Sequence, residues 1–89
     1  MDNKSDKDFI IKADDEQLIL LEHQLIDNMV SIREEQGLSQ AELAKKCNIK
    51  QPVIARMEKA AHSPQIDSLL KVLVPMGYTL QIVPLHKKE

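Results

Sequence analysis

Between residues 39 and 59 the chain gathers side chains suited to reading a polar, negatively charged surface. Ser39 and Gln40 open one short amphipathic segment, and Lys50, Gln51, Val53, Arg56 and Lys59 lie along a second. A glutamine amide holds a donor and an acceptor side by side and can bond an adenine edge at two points. Arg or Lys can bond guanine, and an apolar side chain such as Val53 can meet a thymine methyl. Competing chemistry has little to build on. His23, His62 and His86 share no metal-ligand spacing, and Cys47 stands alone on the apolar side of its segment. Glu34 and Glu35 are adjacent, so on a helix they point apart and form no acid–base pair. Only Gly37 and Gly77 exist, which excludes a glycine-rich phosphate loop. The expectation is no catalytic residue, no metal and no cofactor: not an enzyme.

The elements that must position these groups can be read from local pattern. Leu18, Leu21, Leu25, Met29 and Ile32 recur at helical spacing from about Asp15, with Asp14, Asp15 and Glu16 at the start, where carboxylates complement the helix dipole. Gly37 supplies the stop. Ser39 and Glu42 have the spacing of a capping box, and Leu38 and Leu43 that of a hydrophobic staple, which predicts a short helix from Gln40 to about Cys47. Asn48 tolerates the left-handed turn that follows. A second short helix starts near Lys50–Gln51–Pro52, where proline's missing N–H is harmless, and buries Ile54 and Met57. After the loop 61–64, Ile66, Leu69, Leu70, Leu73 and Val74 mark a further amphipathic helix, which ends or kinks at Pro75. Tyr78–Val83 alternates apolar and polar residues and reads as a strand. The only other strand-like patch is Phe9–Ile11, so pairing of residues 78–83 with their copy in a second chain is the economical solution, through Tyr78, Leu80, Ile82 and Val83. Folding back onto Phe9–Ile11 or onto the chain's own helices is the alternative.

The expected fold is therefore mainly α, with four or five helices in a helix-turn-helix domain and one C-terminal dimerising β-strand. The divisions are a flexible acidic segment 1–14, the helical domain 15–77, the strand 78–85 and a charged tail 86–89. At 89 residues and 43% hydrophobic content the chain suits one small domain. No apolar run approaches the roughly 20 residues that span a bilayer, and the polar N-terminus is unlike a secretory signal, which suggests a cytoplasmic setting. The net charge of −2 is unevenly spread. Residues 1–22 hold seven carboxylates against three lysines, whereas residues 33–62 hold six cationic side chains against four acids. Lys45 and Lys46 could touch phosphates or simply be solvated.

The run from Ile32 to Ala44, with Arg33, Gly37, Leu38, Ser39, Gln40, Glu42 and Leu43, resembles the phage-repressor (Cro- and XRE-like, lambda-repressor-like) helix-turn-helix. Gln51–Glu58, Ser63–Gln65 and Thr79–Leu85 resemble the HigA-type antitoxins in particular. Asn48 stands where the family usually has a turn glycine, and Pro75 departs from the pattern. The resemblance implies that Gln40 contacts phosphate and that Gln51 reads bases beside Lys50, Val53 and Arg56. It also implies that Arg33 and Glu58 form a structural ion pair. It further implies a homodimer on a palindromic double-stranded DNA operator, and a HigB-type toxin (a RelE-like, ribosome-dependent mRNA endonuclease) that the chain neutralises while repressing its own operon. Because a ribonuclease must be basic to hold RNA, Asp14, Asp15, Glu16, Leu18 and Glu22 are the expected toxin contact. The other readings are an autonomous XRE-type repressor without a toxin partner and a protein-binding adaptor.

Overall fold

A carboxylate starts the first helix: Asp14 Oδ1 accepts the Gln17 backbone N–H at 2.8 Å, satisfying one of the free donors that every helix N-terminus exposes. In the computed structural model, which describes residues 14–85, four α-helices and one 3-10 turn follow one another. They are α1 (Asp15–Glu35), α2 (Gln40–Cys47), α3 (Gln51–Glu58), α4 (Ile66–Leu73) and the 3-10 turn Val74–Met76. The segments 1–13 and 86–89, with the Phe9–Ile11 patch and the charged tail, lie outside the described residues.

The local signals act where the sequence places them. Gly37 takes φ +72° after α1, and Leu38 N–H then closes onto the Arg33 carbonyl at 3.1 Å. Ser39 and Glu42 complete the capping box: Glu42 N–H donates to Ser39 Oγ at 3.0 Å and Ser39 N–H to Glu42 Oε1 at 2.8 Å. Those bonds hold the Glu42 carboxyl below its usual range, the backbone donor contributing most. Asn48 adopts φ 59°, ψ 44°, a conformation open to asparagine, and the chain re-enters helix at α3 with Lys50 as its N-cap.

The core is wholly apolar. Ile26, Met29, Leu43, Ala44, Ile54, Met57, Leu69, Val72, Leu73 and Met76 are buried, and among the described residues no polar or charged side chain is. Ala44, 3% exposed, offers a small side chain where α2 packs on α3. Two helix faces differ from the sequence expectation. On α1 the core begins at Ile26; Leu18 and Leu21 of the expected stripe are exposed, as are Ile19 and Leu20. Four consecutive apolar residues point around the whole helix, so periodicity alone could not choose a face, and among the described residues none buries them. On α4 the buried face is Leu69–Val72–Leu73, continued by Met76, whereas Ile66 and Val74 are exposed. The 3-10 turn at Pro75 tightens the chain and brings Met76 inward, where Gln36 Nε2 donates to its carbonyl at 2.9 Å.

The C-terminal strand requires a correction. Residues 78–85 form no strand among the described residues. A ladder needs a partner edge, and the described part of one chain supplies none. Leu80 packs against the core while Tyr78, Ile82 and Val83 stay exposed, Ile82 almost fully at 99%.

Candidate nucleic-acid interface

The turn at Asn48 sets α3 across α2 so that Ile54 and Met57 face inward. Lys50, Gln51, Val53, Arg56 and Lys59 then share the outward side, all of them exposed. Ser39 is exposed at the N-cap of α2, and Gln40, the first residue of that helix, is half-buried against the interface. The seven residues expected to meet DNA thus border one surface built from the first turn of α2 and the outer face of α3. Backbone N–H groups at the start of α2 add positive character.

Behind this surface lies a polar relay. Arg33, near the end of α1, donates from Nε to Glu58 Oε2 at 2.7 Å and from Nη2 to Glu58 Oε1 at 3.1 Å. Its Nη1 donates to the Leu38 carbonyl at 2.7 Å, which fixes the turn leading into α2. The bond to Glu58 raises the Arg33 guanidinium above its ordinary value. Gln40 Nε2 donates to Glu58 Oε1 at 2.8 Å, and Gln51 Nε2 donates to Gln40 Oε1 at 3.2 Å. Arg33, Glu58, Gln40 and Gln51 therefore form one continuous hydrogen-bonded line from the first helix to the exposed edge of α3. The Gln40–Gln51 contact and the Leu38 anchor have no local sequence signal. The first joins residues brought together only where α2 and α3 cross, and the second closes across the turn that leads from α1 into α2.

Val53, Arg56, Met57, His62, Ser63 and Pro64 border a shallow cavity of about 270 Å³ at the far end of α3. Ser63 Oγ also donates to Glu22 Oε1 and Oε2 at 3.0 and 2.9 Å, which ties α1 to the loop before α4. Glu22 is thus engaged within the chain. Asp14 caps α1, Asp15 and Glu16 are exposed in its first turn, and Leu18 is 45% exposed. These residues belong to the N-terminal cap and N-terminal part of α1. Tyr78, Leu80, Ile82 and Val83 lie on the C-terminal segment, which forms no strand among the described residues.

Lys45 and Lys46 are exposed in the last turn of α2, where cations complement the helix dipole without any ligand. Cys47 is half-buried with its Sγ 3.8 Å from the Val72 carbonyl. Burial pushes its thiol up, with Lys46 opposing only in part, opposite to what an activated nucleophile needs. Among the described residues no cluster of metal-ligating side chains occurs, and no helix is long and apolar enough to cross a membrane.

Comparison with known proteins places this geometry. A helix-turn-helix family model matches residues 30–83, which takes in the end of α1, the α2–α3 pair and α4. An uncharacterized HTH-type transcriptional regulator of Haemophilus influenzae is 47% identical over 65 residues, covering 73% of this chain and 66% of that protein, just under two thirds of its length. A chain from a toxin–antitoxin module of Streptococcus pneumoniae superposes with a TM-score of 0.68 at 38% identity, covering 97% of this chain and 96% of that one. With more than half of its length matched by the family model, this chain belongs to the helix-turn-helix family.

Proposed function

We propose that the chain is a sequence-specific DNA-binding repressor and the antitoxin of a toxin–antitoxin pair. The observation that carries the DNA reading is Gln51 itself: exposed in the first turn of α3 and held by Gln40, it offers an amide where a recognition helix reads base edges. Lys50, Arg56 and Lys59 flank it as cations for phosphate or guanine, Val53 can meet a thymine methyl, and Ser39 and Gln40 brace the adjoining backbone. A two-fold dimer paired through residues 78–83 would set two such helices roughly 34–36 Å apart on a palindromic operator. The exposure of Ile82 and Val83 supports that pairing, since a second copy would cover them.

The antitoxin reading rests on the likeness to the Streptococcus pneumoniae module along nearly the whole chain. It is strengthened by the N-terminal half of α1, where an acidic first turn leads into exposed Leu18, Ile19, Leu20 and Leu21. That combination suits a basic partner with an apolar cleft, as a HigB-type (RelE-like) mRNA endonuclease would be. The test is co-expression with such a toxin. The intact chain restores growth, and both Leu18→Glu and removal of residues 1–22 abolish the rescue. Rescue by the truncated chain would place the toxin elsewhere, and no rescue by the intact chain would favour an autonomous repressor.

A further inference from the structure

The relay behind Gln51 has a direction, and that direction has consequences for which base it reads. At its inner end Arg33 is donor-only, and both Glu58 oxygens accept from it. A carboxylate has no proton to give, so the Gln40 amide can meet Glu58 Oε1 only through its NH2 group. This turns Gln40 Oε1 outward. Gln51 can then reach it only through Nε2, as it does at 3.2 Å. The orientation of an amide is normally ambiguous because its oxygen and nitrogen are nearly the same size. Here it is fixed by charge at the far end of the line.

We infer that Glu58, although it faces away from the groove, sets the base preference at the position Gln51 reads, by fixing the amide polarity of Gln40 and through it of Gln51. With one N–H committed to Gln40, Gln51 keeps its carbonyl oxygen and one N–H for the groove. An acceptor beside a donor complements the N6 amino group and N7 of adenine. Guanine presents two acceptors there, O6 and N7, and would oppose the Gln51 oxygen. Glu58 and Gln40 are thus positioning residues, and the inference rests on the DNA-reading role proposed for Gln51.

Two substitutions reverse the line by different routes. In Glu58→Gln the introduced amide must keep its oxygen on Arg33 Nε, the shorter contact at 2.7 Å, so its NH2 faces Gln40. Gln40 then flips to accept, donates onward to the Gln51 oxygen, and Gln51 turns its NH2 to the groove. Gln40→Lys leaves Arg33 and Glu58 untouched and puts a donor-only group between Glu58 and Gln51, with the same result. Because it spares the ion pair, it carries the test if Glu58→Gln unfolds.

The experiment selects binders from a synthetic pool of random-sequence DNA duplexes, using the full chain. Wild type is expected to enrich an adenine that Gln51→Ala no longer requires. In both reversing variants the adenine-over-guanine preference at that position falls by about 5- to 150-fold, the range of one bidentate pair, while preferences elsewhere persist. Side-chain amide NMR of the DNA-free protein gives a second readout that mere destabilisation would not produce: the Gln51 NH2 protons lose their hydrogen-bonded signature in the variants. Adenine enrichment that depends on Gln51 yet survives unchanged in both variants would overturn this inference alone. No enrichment by wild type would overturn the DNA reading and this inference with it.

Discussion

Removing Glu58 should cost far more than a surface ion pair is worth, and the structure says why. The Arg33 and Glu58 side chains are only 12% and 8% exposed, and Glu58 accepts from Arg33 twice and from Gln40 once. In Glu58→Ala the guanidinium keeps only the Leu38 carbonyl as a partner while remaining largely out of water. A fully buried pair broken on one side costs about 3–5 kcal/mol, and an exposed pair about 0–1 kcal/mol. Partial burial puts this one at about 2–4 kcal/mol, a large share of the roughly 5–15 kcal/mol that stabilises a small domain. Arg33→Met combined with Glu58→Leu removes both charges and should lie within about 1 kcal/mol of wild type. Urea unfolding followed by far-UV circular dichroism measures the cycle. With a slope of about 1–2 kcal/mol per molar, Glu58→Ala lowers the midpoint by about 1–4 M. Single and double variants that all stay within about 1 kcal/mol of wild type and combine additively would show the pair to be no more than a solvated contact.

Other predictions follow from local features. Gly37→Ala meets nothing within 4 Å but retains φ +72°, so it should cost about 1 kcal/mol from backbone strain alone, seen as a lower melting temperature with unchanged packing. Ser39→Ala removes the acceptor for the Glu42 N–H and should cost about 1 kcal/mol, measured by the same unfolding curve. Ile54→Ala, at a fully buried position, should cost about 2–5 kcal/mol. The capping box also predicts a pH effect. The Glu42 carboxyl is depressed from its ordinary value of 4.5, so its ionised form stabilises the fold above that value. The contribution disappears as pH falls through the lower, folded-state value. Stability of wild type relative to Glu42→Gln should therefore be highest near neutrality and decline below pH 4.5; a difference that does not change with pH would contradict the assignment.

How much of this was legible in the sequence depends on distance along the chain. The capping box at Ser39–Glu42, the turn at Asn48 and the proline at the start of α3 act over a few residues, and the helices they delimit could be placed to within about a residue. The positions expected to meet DNA follow from that placement, because once Ile54 and Met57 face inward the opposite side of α3 is determined. The pairing of Arg33 with Glu58 came from resemblance, since nothing local links residues 25 apart. Leu18 and Leu21 are exposed although their spacing suits a core face, because α1 is apolar on several faces there and only tertiary packing decides which is covered. Val72 is buried on α4 beside the expected stripe for the same reason. Gln40 meeting Gln51, and Ser63 meeting Glu22, depend on the crossing of whole helices and leave no periodic trace. The alternation in Tyr78–Val83 reads as a strand pattern, but these residues form no strand among the described residues, because a strand needs a partner edge and the described part of a single chain offers none.

The central claim is that α3 reads DNA through Gln51. Its most direct test is the affinity of wild type and Gln51→Ala for the DNA upstream of the chain's own gene, at two salt concentrations. Specific binding should weaken steeply with salt for both proteins alike, since both keep the phosphate contacts. The substitution should cost about 1–3 kcal/mol of specific affinity while sparing binding to unrelated DNA. Specific binding that Gln51→Ala leaves unchanged, or no specific binding at either salt, would contradict the claim.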